Sequence, residues 1–262
     1  MEIELAIIGG TGLYQLASLE DEQVLEGNTI YGRPSAPVHI GRIAGRQVAF
    51  LARHGEGHSL PPHHVNYRAN LRRLVDLGAR RVLAINAVGG ITERFGPRVI
   101  ALPDQIIDYT WGRIGTICEE PGTPVLHVDF TEPYSERLRQ SVLRAAAKAA
   151  VAVIDGGCHG VTQGPRLETR AEIVRLRRDG CDMVGMTSMP EAALAREMGL
   201  DYACLALVAN WAAGCTDAGA TGPIEEITMV EVVANVEAAT AALPRLLQTL
   251  LTDLAVANVT PV

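Results

Sequence analysis

Short apolar runs that end in glycine or polar residues alternate with amphipathic stretches along this 262-residue chain. The runs that predict buried strands are 3–8, 47–52, 81–85, 182–185 and 202–209. Helical periodicity predicts helices over 64–77, 136–150, 168–179, 190–198 and 229–251, with Pro244 interrupting the last. Continuous apolar strands indicate a sheet covered on both faces, and their alternation with helices predicts an α/β fold with a largely parallel sheet. Since no linker or repeat interrupts the pattern, we expect one domain over 1–262.

Composition excludes several classes of protein. A formal net charge of −7 argues against a basic nucleic-acid surface. An apolar run of about 18 residues is absent, which predicts no membrane span, and the N-terminus lacks the basic region of a signal peptide. The five cysteines are scattered, odd in number and form no CxxC pair, so we expect reduced thiols and a cytoplasmic protein.

Four of the predicted strands end in residues suited to binding a small ligand. These strand ends are Gly-Gly-Thr-Gly (9–12), Arg-His-Gly (53–55), Asn-Ala-Val-Gly-Gly (86–90) and Val-Ala-Asn-Trp (208–211). In open α/β sheets, ligands bind beyond the carboxyl ends of the strands. We therefore expect the four strand ends to meet in one cleft.

The first two strand ends carry groups that bind anions. Glycines at 9–12 leave backbone N–H groups open to an anion, with the Thr11 hydroxyl beside them. The guanidinium group of Arg53 can donate two parallel hydrogen bonds to phosphate oxygens, and the imidazole of His54 can donate a further hydrogen bond next to it. Gln15 replaces the last glycine of the dinucleotide fingerprint and Lys148 is the only lysine, which disfavours a Rossmann dehydrogenase and a P-loop. A tight turn and a surface arginine are the structural alternatives.

Three further motifs admit both structural and functional interpretations. Glu168 can accept from a ligand N–H or can be an acidic residue in the first turn of a helix. Ser188 and Glu191 have capping-box spacing, with Pro190 in the first turn, and such a helix start also suits phosphate. The adjacent pair 158–159, Cys-His, points to opposite faces of a strand, which indicates core packing rather than a nucleophile.

Four histidines within eleven residues raise the question of a metal site. They are His54, His58, His63 and His64, and prolines at 61–62 interrupt them. Because this interruption prevents two ligands from sharing one helix face, we expect no metal.

In their order along the chain, the motifs resemble the trimeric purine nucleoside phosphorylase and methylthioadenosine phosphorylase family. The matching stretches are IIGGTGLY (7–14), RHGEGH (53–58), HHVNYRANL (63–71), INAVGG (85–90), QGPRLETRAEI (163–173), DMVGMTSMPEAALARE (182–197) and LALVAN (205–210). The resemblance implies an α/β protein with a central mixed sheet flanked by helices, assembled as a homotrimer. It also implies cleavage of a purine nucleoside by inorganic phosphate, giving a free base and a ribose 1-phosphate, with no metal or organic cofactor.

The resemblance assigns roles residue by residue. The implied phosphate contacts are Thr11, Arg53, His54, Thr187 and the backbone of Ala87. The implied nucleoside contacts are Asn86, Glu168, Met186, Asn210 and, lent by the adjacent subunit near the sugar 5′ end, His127. Asn210, Glu168 and His54 are the predicted catalytic residues.

Two positions indicate which purine is bound. Adenine-specific methylthioadenosine phosphorylases of the family place two aspartates where this chain has Asn210 and Ala212. An asparagine amide can donate to O6 and meet N7, and Glu168 can accept from the N1–H of hypoxanthine or guanine. Neutral adenine has no N1–H, and an unpaired polar group costs about 1–3 kcal/mol. The residues therefore predict a 6-oxopurine.

The start of the last helix indicates the sugar. The resemblance places Met229 where mammalian-type nucleoside phosphorylases carry a histidine that meets the 5′-hydroxyl, and Val232 and Val233 follow. These side chains make an apolar pocket suited to a methylthio group, although such a stripe also fits core packing. Together the features predict phosphorolysis of S-methyl-5′-thioinosine. A methylthioadenosine phosphorylase that tolerates Asn210, an inosine/guanosine phosphorylase and a non-catalytic nucleotide sensor are the alternatives.

Overall fold

A mixed sheet of eleven strands forms the centre of the computed structural model, which describes residues 3–13, 15, 16, 18–216 and 226–257. Tyr14 of the predicted Gly-rich motif lies outside this range, and so do residues 217–222 of the Gly/Thr/Asp-rich stretch 214–222, whose composition predicts a loop before the last helix. The strands are β1 (Leu5–Gly9), β2 (Glu20–Leu25), β3 (Val38–Ile43), β4 (Arg46–Ala52), β5 (Arg81–Gly90), β6 (Ile100–Leu102), β7 (Gln105–Asp108), β8 (Ile154–Asp155), β9 (Cys158–Val161), β10 (Met183–Gly185) and β11 (Asp201–Trp211). The α-helices are α1 (Tyr67–Asp76), α2 (Glu136–Lys148), α3 (Arg170–Arg178), α4 (Ser188–Glu197), α5 (Met229–Thr240) and α6 (Leu243–Ala257).

Four parallel strands lie side by side in the middle of the sheet, in the order β4-β1-β5-β11. They correspond to four of the five strands predicted from apolar runs, and β10 is the fifth. Antiparallel pairs join β10 and β6 to this group and form the β2-β3-β4 edge. The predicted α/β fold with a mixed, largely parallel sheet is therefore confirmed.

Both faces of the sheet are covered, as the continuous apolar strands predict. Along β1, Leu5 and Ile7 pack into the core on the side of α2, α5 and α6. Ala6 and Ile8, which alternate with them, pack on the opposite side with α1 and α4. In the described ranges, no helix is long and apolar enough to cross a membrane.

Most of the strands that the sequence analysis missed are short or exposed, and the exception is β3 (VHIGRI), which has six residues and is mostly buried. β2 has the sequence EDEQVL and is exposed over most of its length, because it lies at the sheet edge. β6, β8 and β9 have two to four residues each. Such segments give no apolar run, so pairing with neighbours rather than local sequence defines them.

Helix ends show where local signals succeed and fail. Thr169 and Glu172 form a capping box at α3. The predicted capping box of Ser188 and Glu191 is wrong, since the N-cap of α4 is Thr187 and makes no side-chain cap bond. The Glu191 carboxylate is instead buried against an arginine, as described below. The predicted 229–251 helix is divided into α5 and α6, with Pro244 in the first turn of α6.

Candidate active site

A cavity of about 240 Å³ opens at the carboxyl ends of β1, β4, β5 and β11, where the four predicted strand ends come together. The predicted site residues that line it are Thr11, Arg53, His54, Asn86, Ala87, Glu168, Met186, Thr187, Asn210, Met229 and Val232. Residues from distant parts of the chain thus meet in one place, because parallel strands end at the same edge of the sheet.

Arg53 lies at the inner end of the cavity, completely buried and paired with an equally buried carboxylate. Its Nε and Nη2 donate to the two carboxylate oxygens of Glu191 at 2.8 and 2.9 Å. Nη2 also donates to Asn86 Oδ1 at 2.8 Å, and Nη1 donates to the Ile85 carbonyl at 3.3 Å. Glu191 therefore occupies the guanidinium fork that the sequence analysis assigned to phosphate, and Arg53 offers the cavity one remaining Nη1 hydrogen.

His54 is nearly buried beside Arg53 and has a defined tautomer. Its Nδ1 lies 2.8 Å from the Leu60 carbonyl, so Nδ1 carries the hydrogen and donates it. Burial and the charge of Arg53 lower the pKa of His54 to about 4. The ring is therefore neutral at pH 7, and Nε2 carries a lone pair that accepts a hydrogen bond. This differs from the donor role that the sequence suggested.

The remaining groups at this end are neutral donors on a closely packed backbone. A Cβ on Gly10 would lie 2.7 Å from the Ile85 carbonyl oxygen, so only glycine fits where the chain passes β5. Thr11 and the backbone of Ala87 line the cavity beside it. Thr187 is buried at the start of α4, and its hydroxyl is not used for capping. Because Met189 has extended backbone angles, the regular turns of α4 begin after it, and the Thr187 hydroxyl rather than a helix N-terminus is the group that can donate to an anion here.

Glu168 and Asn210 also line the cavity and are only half-buried, and the part that they form is called the outer end below. Glu168 precedes the α3 N-cap Thr169, so it lies outside the helix rather than in its first turn. Burial raises the pKa of Glu168, although its carboxylate accepts from Thr162 Oγ1 at 2.5 Å. Asn210 Nδ2 donates one hydrogen to the Trp211 carbonyl at 2.7 Å, which leaves the second hydrogen for a ligand. The two side chains together offer a ligand an acceptor and a donor.

Ile227, Met229 and Val232 form an apolar wall of the cavity. Val233, predicted to share the wall, faces outwards with 38% of its surface exposed and does not line the cavity. His127 is exposed and lies outside the cavity of its own chain.

Two buried or half-buried charges support the site and were missed from the sequence. Glu191 holds Arg53 and also accepts from the Tyr202 hydroxyl at 2.8 Å. Arg113 donates to the backbone carbonyls of Met186, Met189 and Gln163 at 2.6–2.8 Å, and so joins the loops on two sides of the cavity. The capping-box spacing concealed the role of Glu191. No sequence signal marks Arg113, because it lies in a segment without regular structure.

The clustered histidines lie in two neighbouring pairs. The rings of His54 and His58 stack with centroids 4.4 Å apart, and those of His63 and His64 meet edge to face at 4.3 Å. Within the described part of the chain, no group of three or more histidine, cysteine or carboxylate side chains is arranged to hold a metal ion.

Comparison with known proteins supplies the family. Residues 4–252 match the Phosphorylase superfamily. A probable S-methyl-5′-thioinosine phosphorylase of Xanthomonas campestris pv. campestris is 64% identical over 94% of this chain and 96% of its own length. A 6-oxopurine nucleoside phosphorylase of Pyrococcus furiosus is 43% identical over 80% of each chain.

A solved structure agrees with these sequence matches. The methylthioadenosine phosphorylase of Schistosoma mansoni, in complex with adenine, superimposes with a TM-score of 0.90 at 30% identity. The match covers 97% of this chain and 93% of the other. The family match, the relatives and the shared fold agree with the order of motifs around the cavity. The chain belongs to the Phosphorylase superfamily, within its purine nucleoside and methylthioadenosine phosphorylases.

Proposed function

We propose that this chain is a pentosyltransferase that converts S-methyl-5′-thioinosine and phosphate into hypoxanthine and 5-methylthioribose 1-phosphate. The observation that carries the proposal is the outer end of the cavity, where Glu168 and Asn210 line the same cavity as the apolar wall. One half of this end suits a 6-oxopurine, and the other half suits a methylthio group. The 64% identical relative with that name supports the same substrate.

The base is selected by complementary hydrogen bonds. An ionised Glu168 accepts from the N1–H of hypoxanthine, and the second amide hydrogen of Asn210 donates to O6 or N7. Adenine would turn a lone pair towards Glu168, and leaving such groups unpaired costs about 1–3 kcal/mol. Ala212, which also lines the cavity, supplies no second carboxylate for a 6-amino group.

Phosphate binds at the inner end, where the donors are mostly neutral. The charge of Arg53 is balanced by Glu191. The anion is therefore held by the Thr11 and Thr187 hydroxyls and the Ala87 backbone. A protonated phosphate oxygen donates to Nε2 of the neutral His54. Donors that are fixed before the reaction stabilise developing charge without a cost of reorganisation.

In the reaction, the C1′–N9 bond breaks with its electron pair on the base, a phosphate oxygen forms the new bond to C1′, and the departing base takes up the proton that the phosphate loses. The sugar passes through an oxocarbenium-like state that the phosphate charge stabilises. Asn210 binds the negative charge that develops at N7 and O6. Met186, which also lines the cavity, packs under the ribose. The reaction needs phosphate as co-substrate and no metal or organic cofactor.

Methylthioadenosine is the second candidate substrate, because burial raises the pKa of Glu168. A protonated Glu168 can donate a hydrogen bond to N1 of adenine, whereas an ionised Glu168 has no hydrogen to donate. Lower pH should therefore raise kcat/KM for methylthioadenosine relative to methylthioinosine. A ratio that does not change with pH would remove Glu168 protonation as the basis of this alternative.

We infer that the chain works as a homotrimer in the cytoplasm. Trp111, Ile114, Val125 and Leu126 expose 44–73% of their surfaces in one segment. Exposed apolar residues of this kind mark interaction surfaces, and His127 follows directly in the chain. A trimer in analytical ultracentrifugation would support the assembly, and a monomer at the concentration of the assay would contradict it. The five unpaired cysteines support a reducing compartment.

Base release from methylthioinosine, methylthioadenosine, inosine and adenosine, with and without phosphate, tests the proposed function. We expect the highest kcat/KM for methylthioinosine and no release without phosphate. A preference for methylthioadenosine would contradict the interpretation of the base subsite, and a preference for inosine that of the apolar wall. No release from any substrate would favour a nucleotide-binding protein without catalytic activity.

A further inference from the structure

A β-bulge in β11 lies directly before Asn210 and sets the direction of its side chain. β11 pairs with β5 in continuous register up to Val208, which lies opposite Val88, and the next paired residue is Asn210, opposite Gly89. Ala209 is therefore the extra residue of a bulge, and a bulge leaves that residue without a partner across the ladder. Bulges often re-aim a side chain beside a functional site. Here the residue that follows the bulge is the predicted base contact.

Two side chains outside the cavity hold this bulge. Asn235 Nδ2, on α5, donates to the carbonyl of Ala209 at 2.8 Å. Asn235 Oδ1 accepts from Arg98 Nε at 2.8 Å, and the Arg98 backbone N–H donates to the Val208 carbonyl at 2.7 Å. The two carbonyls that precede Asn210 are thus fixed by one connected pair of residues.

The same contact joins the apolar wall of the cavity to the strand that carries Asn210. α5 carries Met229 and Val232 of the apolar wall, and Asn235 lies one helical turn after Val232. β11 carries Asn210. The Asn235 amide therefore connects the helix that contacts the sugar 5′ end to the strand that contacts the base.

We propose that Asn235, supported by Arg98, is a positioning residue that sets the orientation of Asn210 and its distance from the apolar wall. It thereby determines base discrimination without touching the substrate. The proposal rests on the proposed function, since it names a further specificity determinant of that site. A small displacement of a binding group costs about a hundredfold in rate when the geometry of the reaction is demanding.

Asn235→Asp is the sharpest test, because aspartate keeps the shape and the acceptor for Arg98 but cannot donate to the Ala209 carbonyl when ionised. We expect kcat/KM for methylthioinosine to fall at least tenfold and its ratio to methylthioadenosine to fall as well. The KM for phosphate should stay within twofold. Glu237→Gln, an exposed change on the same helix, is the matched control and should leave all three values unchanged.

A double-mutant cycle shows whether Asn235 acts through Asn210. In the Asn210→Ala background, Asn235→Asp should have no further effect on base discrimination. Additive losses, or losses shared equally by the nucleoside and phosphate constants, would overturn the proposal and indicate general destabilisation. Arg98→Ala, which keeps the backbone donor, should lower the same kcat/KM and the same ratio of the two nucleosides by a smaller factor. A wild-type ratio of methylthioinosine to methylthioadenosine in both Asn235→Asp and Arg98→Ala would also overturn the proposal.

The wild-type protein in the same assays tests the proposed function separately. If the wild type prefers another nucleoside, the proposed substrate is wrong, and the ratio of the variants still reports on Asn235. If the wild type releases no base, hypoxanthine binding measured by calorimetry replaces the rate. Asn235→Asp should then weaken binding at least tenfold, and unchanged binding would overturn the positioning role.

Discussion

The inner and outer ends of the cavity are built in different ways. At the inner end, Arg53 and Glu191 are completely buried and bound to each other. At the outer end, Glu168 and Asn210 are half-buried, and Met229 exposes 62% of its surface. The inner end is held by a charged network inside the core, whereas the outer end depends on a bulge, a loop and one helix.

The difference between the two ends corresponds to two functions. Phosphate binding is common to the family, whereas the choice of base and sugar varies. A buried ion pair is costly to disturb, so the inner end suits the phosphate that every member of such a family must bind. Residues on loops and at the surface tolerate change, so the outer end can be adapted to a different base or sugar substituent. We therefore expect changes at the inner end to affect stability most, and changes at the outer end to affect the choice of substrate.

Glu191→Gln should have the largest effect on the protein. The substitution leaves the buried guanidinium of Arg53 without its carboxylate, and breaking such a pair costs about 3–5 kcal/mol. Chemical denaturation should show this loss in the free energy of unfolding. Asp76→Asn, which breaks a surface pair with Arg72, is the control and should cost less than about 1 kcal/mol. Equal losses in the two variants would contradict the proposed difference between the ends.

Asn210→Ala should affect catalysis rather than stability. It removes the donor to the departing base, and kcat/KM for methylthioinosine should fall about a hundredfold. The KM for phosphate should stay near the wild-type value. Asn210→Asp should increase the relative activity on methylthioadenosine, although Ala212 supplies no second carboxylate. An unchanged kcat/KM in Asn210→Ala would exclude this residue from base departure.

Stability should fall as the pH is lowered from 7 to 5. Burial lowers the pKa of both His54 and His159 to about 4, below the ordinary value of 6.5. Between these values the unfolded chain binds more protons, so each histidine reduces the free energy of unfolding by up to about 2 kcal/mol at pH 5. The raised pKa of Glu168 acts in the opposite direction. Denaturant titrations at pH 7 and pH 5 measure the free energy of unfolding. An equal value at the two pH values would contradict the prediction.

Met229→Ala should have the smallest effect of the four. It removes part of the apolar wall and should lower the preference for methylthioinosine over inosine by about tenfold or less. Val230→Ala, on an adjacent side chain that is 80% exposed, should leave the preference unchanged. The ratio of the two kcat/KM values provides the measurement. A loss on both nucleosides alike would mean that Met229 supports the helix rather than the substrate.

The central strands and their ends could be predicted from the sequence, because long apolar runs and the glycines after them are local signals. β1, β4, β5 and β11 follow from such runs, and so does their meeting at one edge. The state of His54 could not be predicted, since it depends on the carbonyl of Leu60 and on the burial that the fold imposes.

Partners distant in sequence explain the remaining differences. Glu191 has capping-box spacing, but its carboxylate is bound by Arg53, which lies 138 residues away. The bulge at Ala209 and its partner Asn235 lie on separate elements, and no local pattern links them. Val233 is exposed although it follows Val232, because consecutive helix residues point in directions about 100° apart.

A competition assay tests the assignment of the outer end most directly. Equimolar methylthioinosine, methylthioadenosine and inosine are mixed with phosphate and the protein, and the early release of hypoxanthine, adenine and both sugar phosphates is measured. Relative rates in such a mixture equal the ratios of kcat/KM. We predict that 5-methylthioribose 1-phosphate and hypoxanthine form together and first. Early release of adenine, or of ribose 1-phosphate, would contradict the assignment of Glu168 and Asn210 or of the apolar wall.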